Sequence, residues 1–107
     1  MQEYEIRQRF SRVERAIGEA AQACSAERDL PGELRDCIHK LDRQADAAQQ
    51  GMAPYDVMRL RRMVEELGAL GDRARRVVSN MPALTPQMRS AVQHVHDELM
   101  ELRHDLR

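Results

Sequence analysis

The stretch from Val57 to Met81, VMRLRRMVEELGALGDRARRVVSNM, constrains this chain more than any other, because its apolar side chains cover more than one helix neighbour can bury. At 3.6 residues per turn, Val57, Leu60, Val64, Leu67, Gly71, Ala74 and Val78 fall in one stripe, and Met63, Leu70, Val77 and Met81 in a second beside it. Together they span roughly 160° of the helix, against about 100° for an ordinary surface helix. A helix of this kind must touch two neighbours, supplied by the rest of the chain or by a second copy of it.

The rest of the chain offers three more amphipathic helices. In the first, expected from about residue 2 to 27, Ile6, Phe10, Val13, Ile17, Ala20 and Cys24 alternate spacings of four and three, a heptad seam. Asp29, Pro31 and Gly32 interrupt the pattern, with Asp29 or Leu30 as the expected cap of the second helix. That helix, residues 32–50, places Leu34, Ile38, Leu41, Ala45 and Ala48 on one face with Cys37 on its flank, and Gly51 suits the residue just past its end. Met52 to Pro54 make a turn into the third helix, 54–80. The fourth, 86–106, opens with Thr85 as N-cap and Pro86 at its first position, and repeats the heptad seam with Met88, Val92, Val95, Leu99, Leu102 and Leu106.

These signals predict an all-α fold: a single domain over residues 1–107, built as an antiparallel up-down-up-down four-helix bundle. The spare apolar surface leaves dimerisation as the alternative way to complete or extend the core. Only one Phe and two Tyr are present, so the core must be aliphatic, and no period-two β-branched run argues for a strand.

A formal net charge of −1 creates no overall field toward nucleic acid or an anionic membrane. No apolar run reaches the ~18 residues of a membrane span, and the N-terminal MQEYEIRQRF lacks the order of a signal peptide, so a cytoplasmic location is expected. Cys24 and Cys37 lie about equally far from the first turn, on facing helices; without a CxxC pattern or a third ligand they read as small core residues.

Three constellations could carry chemistry. His39, in CIHKLDRQA, lies on the outer side of the second helix, and with Leu41 two residues on it is similar at that point to histidine phosphotransfer domains. Asp42 and Arg43 stand where those domains have Lys and Gly, and an acid beside a phosphohistidine repels it. Glu101 and His104 form a Glu-x-x-His pair that, with His94 and Glu98, could share a divalent metal; ferritin-like di-metal bundles use two such motifs, and this chain has one. Arg59, Arg61, Arg62, Arg73, Arg75 and Arg76 make the third helix locally basic, but interleaved acids and the lack of stacking aromatics disfavour nucleic acid. Gly68 and Gly71 fit close helix packing.

No catalytic triad, phosphate-cradling Gly loop or dinucleotide fingerprint is present, and no cofactor is called for. The expectation is a non-enzymatic bundle acting through self-association or a helical protein partner, as a small adaptor, regulator or chaperone. The expected anchors are Leu60, Met63, Leu67 and Leu70, with Met58 and Met100 as secondary contacts. The alternatives are a metal-binding or phosphotransfer bundle and weak nucleic-acid binding through the third helix.

Overall fold

The computed structural model describes residues 3–50 and 57–106, with side chains from Tyr4 to Ala48 and from Met58 to Leu106. Gly51, the turn at Met52 to Pro54 and the side chain of Val57 lie outside the described residues. Four helices follow in order: α1 (Glu3–Ala26), α2 (Gly32–Gln50), α3 (Val57–Ser79) and α4 (Pro86–Asp105). They pack as a ring in which α1 meets α2, α2 meets α3, α3 meets α4 and α4 returns to α1, with no contact across either diagonal among the described residues.

Cross-helix contacts fix the antiparallel directions. Along α3, Arg61, Glu65 and Asp72 meet Leu106, Arg103 and His96 of α4 in descending order. Along α1, Arg9, Glu19 and Glu27 meet Asp105, His94 and Thr85. The molecule measures 42 × 23 × 18 Å, and its long axis fits helices of 19 to 24 residues at about 1.5 Å per residue.

Both heptad seams are buried in full: Ile6, Phe10, Val13, Ile17, Ala20 and Cys24 on α1, and Met88, Val92, Val95, Leu99, Leu102 and Leu106 on and just after α4. The α2 face closes the same core, with Cys37 fully buried rather than flanking it. Of α3, Leu60, Val64, Leu67, Ala74 and Val78 are buried, and Met63, Leu70, Val77 and Met81 pack half-buried against them. The wide apolar arc is thus used by the chain's own helices, in two grades of burial.

Two local expectations change. The second helix is capped by neither Asp29 nor Leu30: the Pro31 carbonyl accepts its first turn's bond from Arg35 N at 3.1 Å. Arg35 Nη2 also reaches back to the Glu27 carbonyl at 3.1 Å, fastening the hairpin turn. Gly68 makes no close approach, since a Cβ there would meet nothing within 4 Å; at Gly71 a Cβ would lie 3.0 Å from Leu99 Cδ1, so α4 comes close to α3 there.

At the fourth helix, Thr85 is the N-cap as expected: its Oγ1 accepts from Met88 N at 3.2 Å while its hydroxyl donates to Glu27 at the end of α1. Arg89 donates to the Val78 and Met81 carbonyls, which closes the C-terminal end of α3. Among the described residues, no helix is long and apolar enough to cross a membrane.

Candidate functional site

Helix α3 has three surfaces with different neighbours. Its flank bearing Arg61, Glu65 and Asp72 faces α4: Arg61 Nε donates to the Leu106 carbonyl at 2.7 Å, Glu65 pairs with Arg103 at 2.9 Å, and Asp72 with His96 at 3.2 Å. Its opposite flank faces α2, because Arg73 Nε meets Glu33 at 3.1 Å, a bond that raises the Arg73 pKa. Met63, Leu70 and Val77 belong to this second flank, since residues three or four and seven apart share a helix face with Arg73. They repeat every seven residues, about 10.5 Å apart along the axis, and are half-buried along the α2–α3 seam.

The outer rim of that seam is charged. Glu66 and Arg73, three or four residues from Met63, Leu70 and Val77, edge the seam on α3, whereas Ala69 and Arg76 share a depression with Asp72 on the opposite side of the helix. On the facing wall Lys40 and Ala47 follow Glu33 at intervals of seven, with Gln44 beside them, all exposed. Three acids of the neighbouring helices are engaged, Glu33 by Arg73, Glu65 by Arg103 and Asp72 by His96, while Asp36 on α2 and Glu66 on α3 stand exposed beside the seam. Arg62, Arg76 and Lys40 have no such partner among the described residues. The result is a shallow apolar seam edged by both signs of charge.

The anchors expected from sequence divide accordingly. Leu60 and Leu67 are 7% and 1% exposed and belong to the core, so no partner can reach them without opening the bundle. Met63 and Leu70 line the seam, while Met58 and Met100 stand exposed on α3 and α4. Sequence reasoning missed Tyr4, which is exposed on α1 with its hydroxyl accepting from Gln8 Nε2 at 2.9 Å.

The fourth-helix quartet does not converge. His94 meets Glu19 at 3.1 Å and Glu98 at 3.4 Å, whereas Glu101 pairs with Arg9 at 2.8 Å and His104 is exposed. Asp105 shares Arg9 at 3.2 Å. Glu19, Glu101 and Asp105 tie α4 to α1 while Glu98 pairs within α4, and among the described residues no group of three or more His, Cys, Asp or Glu is arranged to hold a metal ion.

His39 is exposed in a shallow depression with Asp36, Lys40, Asp42 and Arg43, open to solvent and flanked by both signs of charge. Cys24 and Cys37 are unpaired and buried. Burial pushes both thiols up, partly offset by Arg35 near Cys24 and by Arg73 near Cys37, which keeps them protonated and poor as nucleophiles at neutral pH. No family model, no curated protein and no solved structure matches this chain.

Proposed function

We propose that this protein is a binding module rather than a catalyst, and that it takes a helical protein partner along the α2–α3 seam. The reading rests on one observation: Met63, Leu70 and Val77 form an apolar row, crossed by the Arg73–Glu33 pair, that remains partly at the surface after the bundle has closed its own core. A row of apolar side chains at heptad spacing on a rigid helix is the geometry that receives the ridge of another helix. The ring of four helices already gives every helix two neighbours, which favours an added partner over an obligate dimer that completes a split core. Two buried, unpaired cysteines suit a reducing compartment such as the cytoplasm.

The test uses a photo-crosslinking residue placed at Glu66, exposed between Met63 and Leu70 on the edge of the seam, and in a second protein at Arg43 on the outer side of α2. In cells of the source organism, a discrete crosslinked product from position 66, absent from position 43 and lost on adding Leu70→Asp, is expected. Equal, diffuse labelling from both positions overturns the reading. Helicity and thermal unfolding of Leu70→Asp, whose side chain is only half-buried, are measured alongside to show that the seam is lost and the fold is kept.

A further inference from the structure

We propose that Ser79, the last residue of α3, is a phosphorylation site whose phosphate is received by Arg75, Arg76 and Arg89. The corner where α3 ends and α4 begins lies on the side of α3 away from the α2–α3 seam, so the proposal stands independently of the partner-binding reading. Arg75, Arg76 and Ser79 line one shallow depression, and Arg75, Ser79 and Arg89 line a second that runs between α3 and α4. Residues three and four apart share a helix face, which sets both α3 arginines one turn before Ser79. Helix α4 brings Arg89 across to the Val78 and Met81 carbonyls.

Positive charge at this corner is left over from the fold. Arg75 and Arg76 are exposed and have no carboxylate partner among the described residues, and Arg89 directs its donors to the two carbonyls at the end of α3. The acids that line the same depressions are engaged: Asp72 meets His96 at 3.2 Å, and Asp97 accepts from Gln93 Nε2 at 2.8 Å. A phosphate at a helix C-terminus is ordinarily repelled by the carbonyl end of the dipole, but here Arg89 already covers those carbonyls with positive charge. Ser79 Oγ donates to the Arg75 carbonyl at 3.0 Å. Phosphorylation removes that proton, which frees the side chain to turn toward the guanidinium groups.

Among the described hydroxyls, Ser79 alone combines these features. Ser11 and Ser90 sit within α1 and α4, Ser25 has no arginine in the turn before it, and Thr85 is committed to Met88 N and Glu27. Ser79 is exposed where the helix gives way to the turn from Asn80 to Leu84, and an arginine-directed kinase reads positive charge a few residues before its acceptor. In the reaction a nucleoside triphosphate loses the bond between its γ-phosphorus and the bridging oxygen, and the Ser79 Oγ–phosphorus bond forms. The hydroxyl proton passes to a carboxylate of the kinase, and the nucleoside diphosphate leaves.

The protein isolated from cells of the source organism is mapped by mass spectrometry, and the purified full chain is incubated with ATP and an arginine-directed serine kinase. Phosphate at Ser79 is expected in both, abolished by Ser79→Ala and slowed about tenfold by Arg75→Gln with Arg76→Gln, all three exposed and so compatible with folding. The receiving arginines are tested apart from the kinase, with phosphoserine installed at position 79 during translation and its second ionisation followed by phosphorus NMR. Held by the arginines, the phosphate should lose its last proton about 0.5 pH units below the ordinary value of ~6, and the two arginine substitutions should return it there. A bare Ser79 in the native protein overturns the assignment whatever the purified kinase does, as does uptake at Ser11 or Ser25 in its place. A second ionisation that stays at its ordinary value and ignores both substitutions removes the arginines as the receiving groups, and the proposal with them.

Discussion

Glu14 stands half-buried on the side of α1 that faces α2, where loss of solvent and, secondarily, the charge of Asp46 raise its pKa. A carboxyl whose folded pKa lies above its unfolded value favours the fold while it is protonated in both states. That contribution is fully present below the ordinary value of 4.5 and is lost as pH rises through the raised folded value. At neutral pH the ionised Glu14 therefore works against the α1–α2 contact. Glu14→Gln is expected to stabilise the protein at pH 7 by up to about 0.5 kcal/mol, the range of a partly exposed substitution, and to change nothing at about pH 3. Urea unfolding of both proteins at the two pH values measures it. An equal gain at both values would trace the effect to helix propensity and not to charge.

At the scale of the element, α3 carries two interior glycines whose surroundings differ. Gly68 has open space where a Cβ would go, so Gly68→Ala should gain about 0.5–1 kcal/mol by restricting the unfolded chain and favouring the helix. At Gly71 the added Cβ would press on Leu99, which is itself buried, so the Ala variant should gain less and Gly71→Val should cost about 1–3 kcal/mol. Thermal melts rank the three, and a Gly71→Ala gain equal to that of Gly68→Ala would show the α3–α4 contact to be loose.

Both glycines looked alike in sequence, and the reason they differ explains what could be read there at all. A helix face follows from local spacing, which is why the seams of α1 and α4 and the Thr85–Pro86 start were legible. Which neighbour an edge meets is not local. It depends on how the ring closes, and hence Gly71 faces Leu99 while Gly68 faces nothing. The same limit hid the fate of Glu101 and Asp105, which Arg9 recruits from nearly the whole chain length away. For the candidate site, spacing alone put Leu60 and Leu67 in one stripe and Met63 and Leu70 in the next, whereas only burial shows which stripe is core and which lines the seam.

For the whole molecule, ring closure decides whether the seam is a stable platform. Helix α4 touches α1 and α3 but not α2, so α2 feels α4 only through the common core. Leu102, fully buried on α4, is a sensitive probe of that coupling. Leu102→Ala should cost about 2–5 kcal/mol, a large part of the ~5–15 kcal/mol that holds a domain of this size. If the four helices fold as one unit, the most protected amides of α2 should exchange faster by the same factor as those of α4, because both open only through global unfolding. Loss of protection confined to α4 would instead describe a detachable helix over a three-helix remainder. In that case the α2–α3 seam could stay intact while α4 came and went, and the large area that α4 shares with α1 would serve exchange rather than support. The continuous core from Ile6 on α1 to Leu106 beyond α4, with Thr85 binding Glu27 across the α1–α4 contact, argues for the single unit and for a rigid seam.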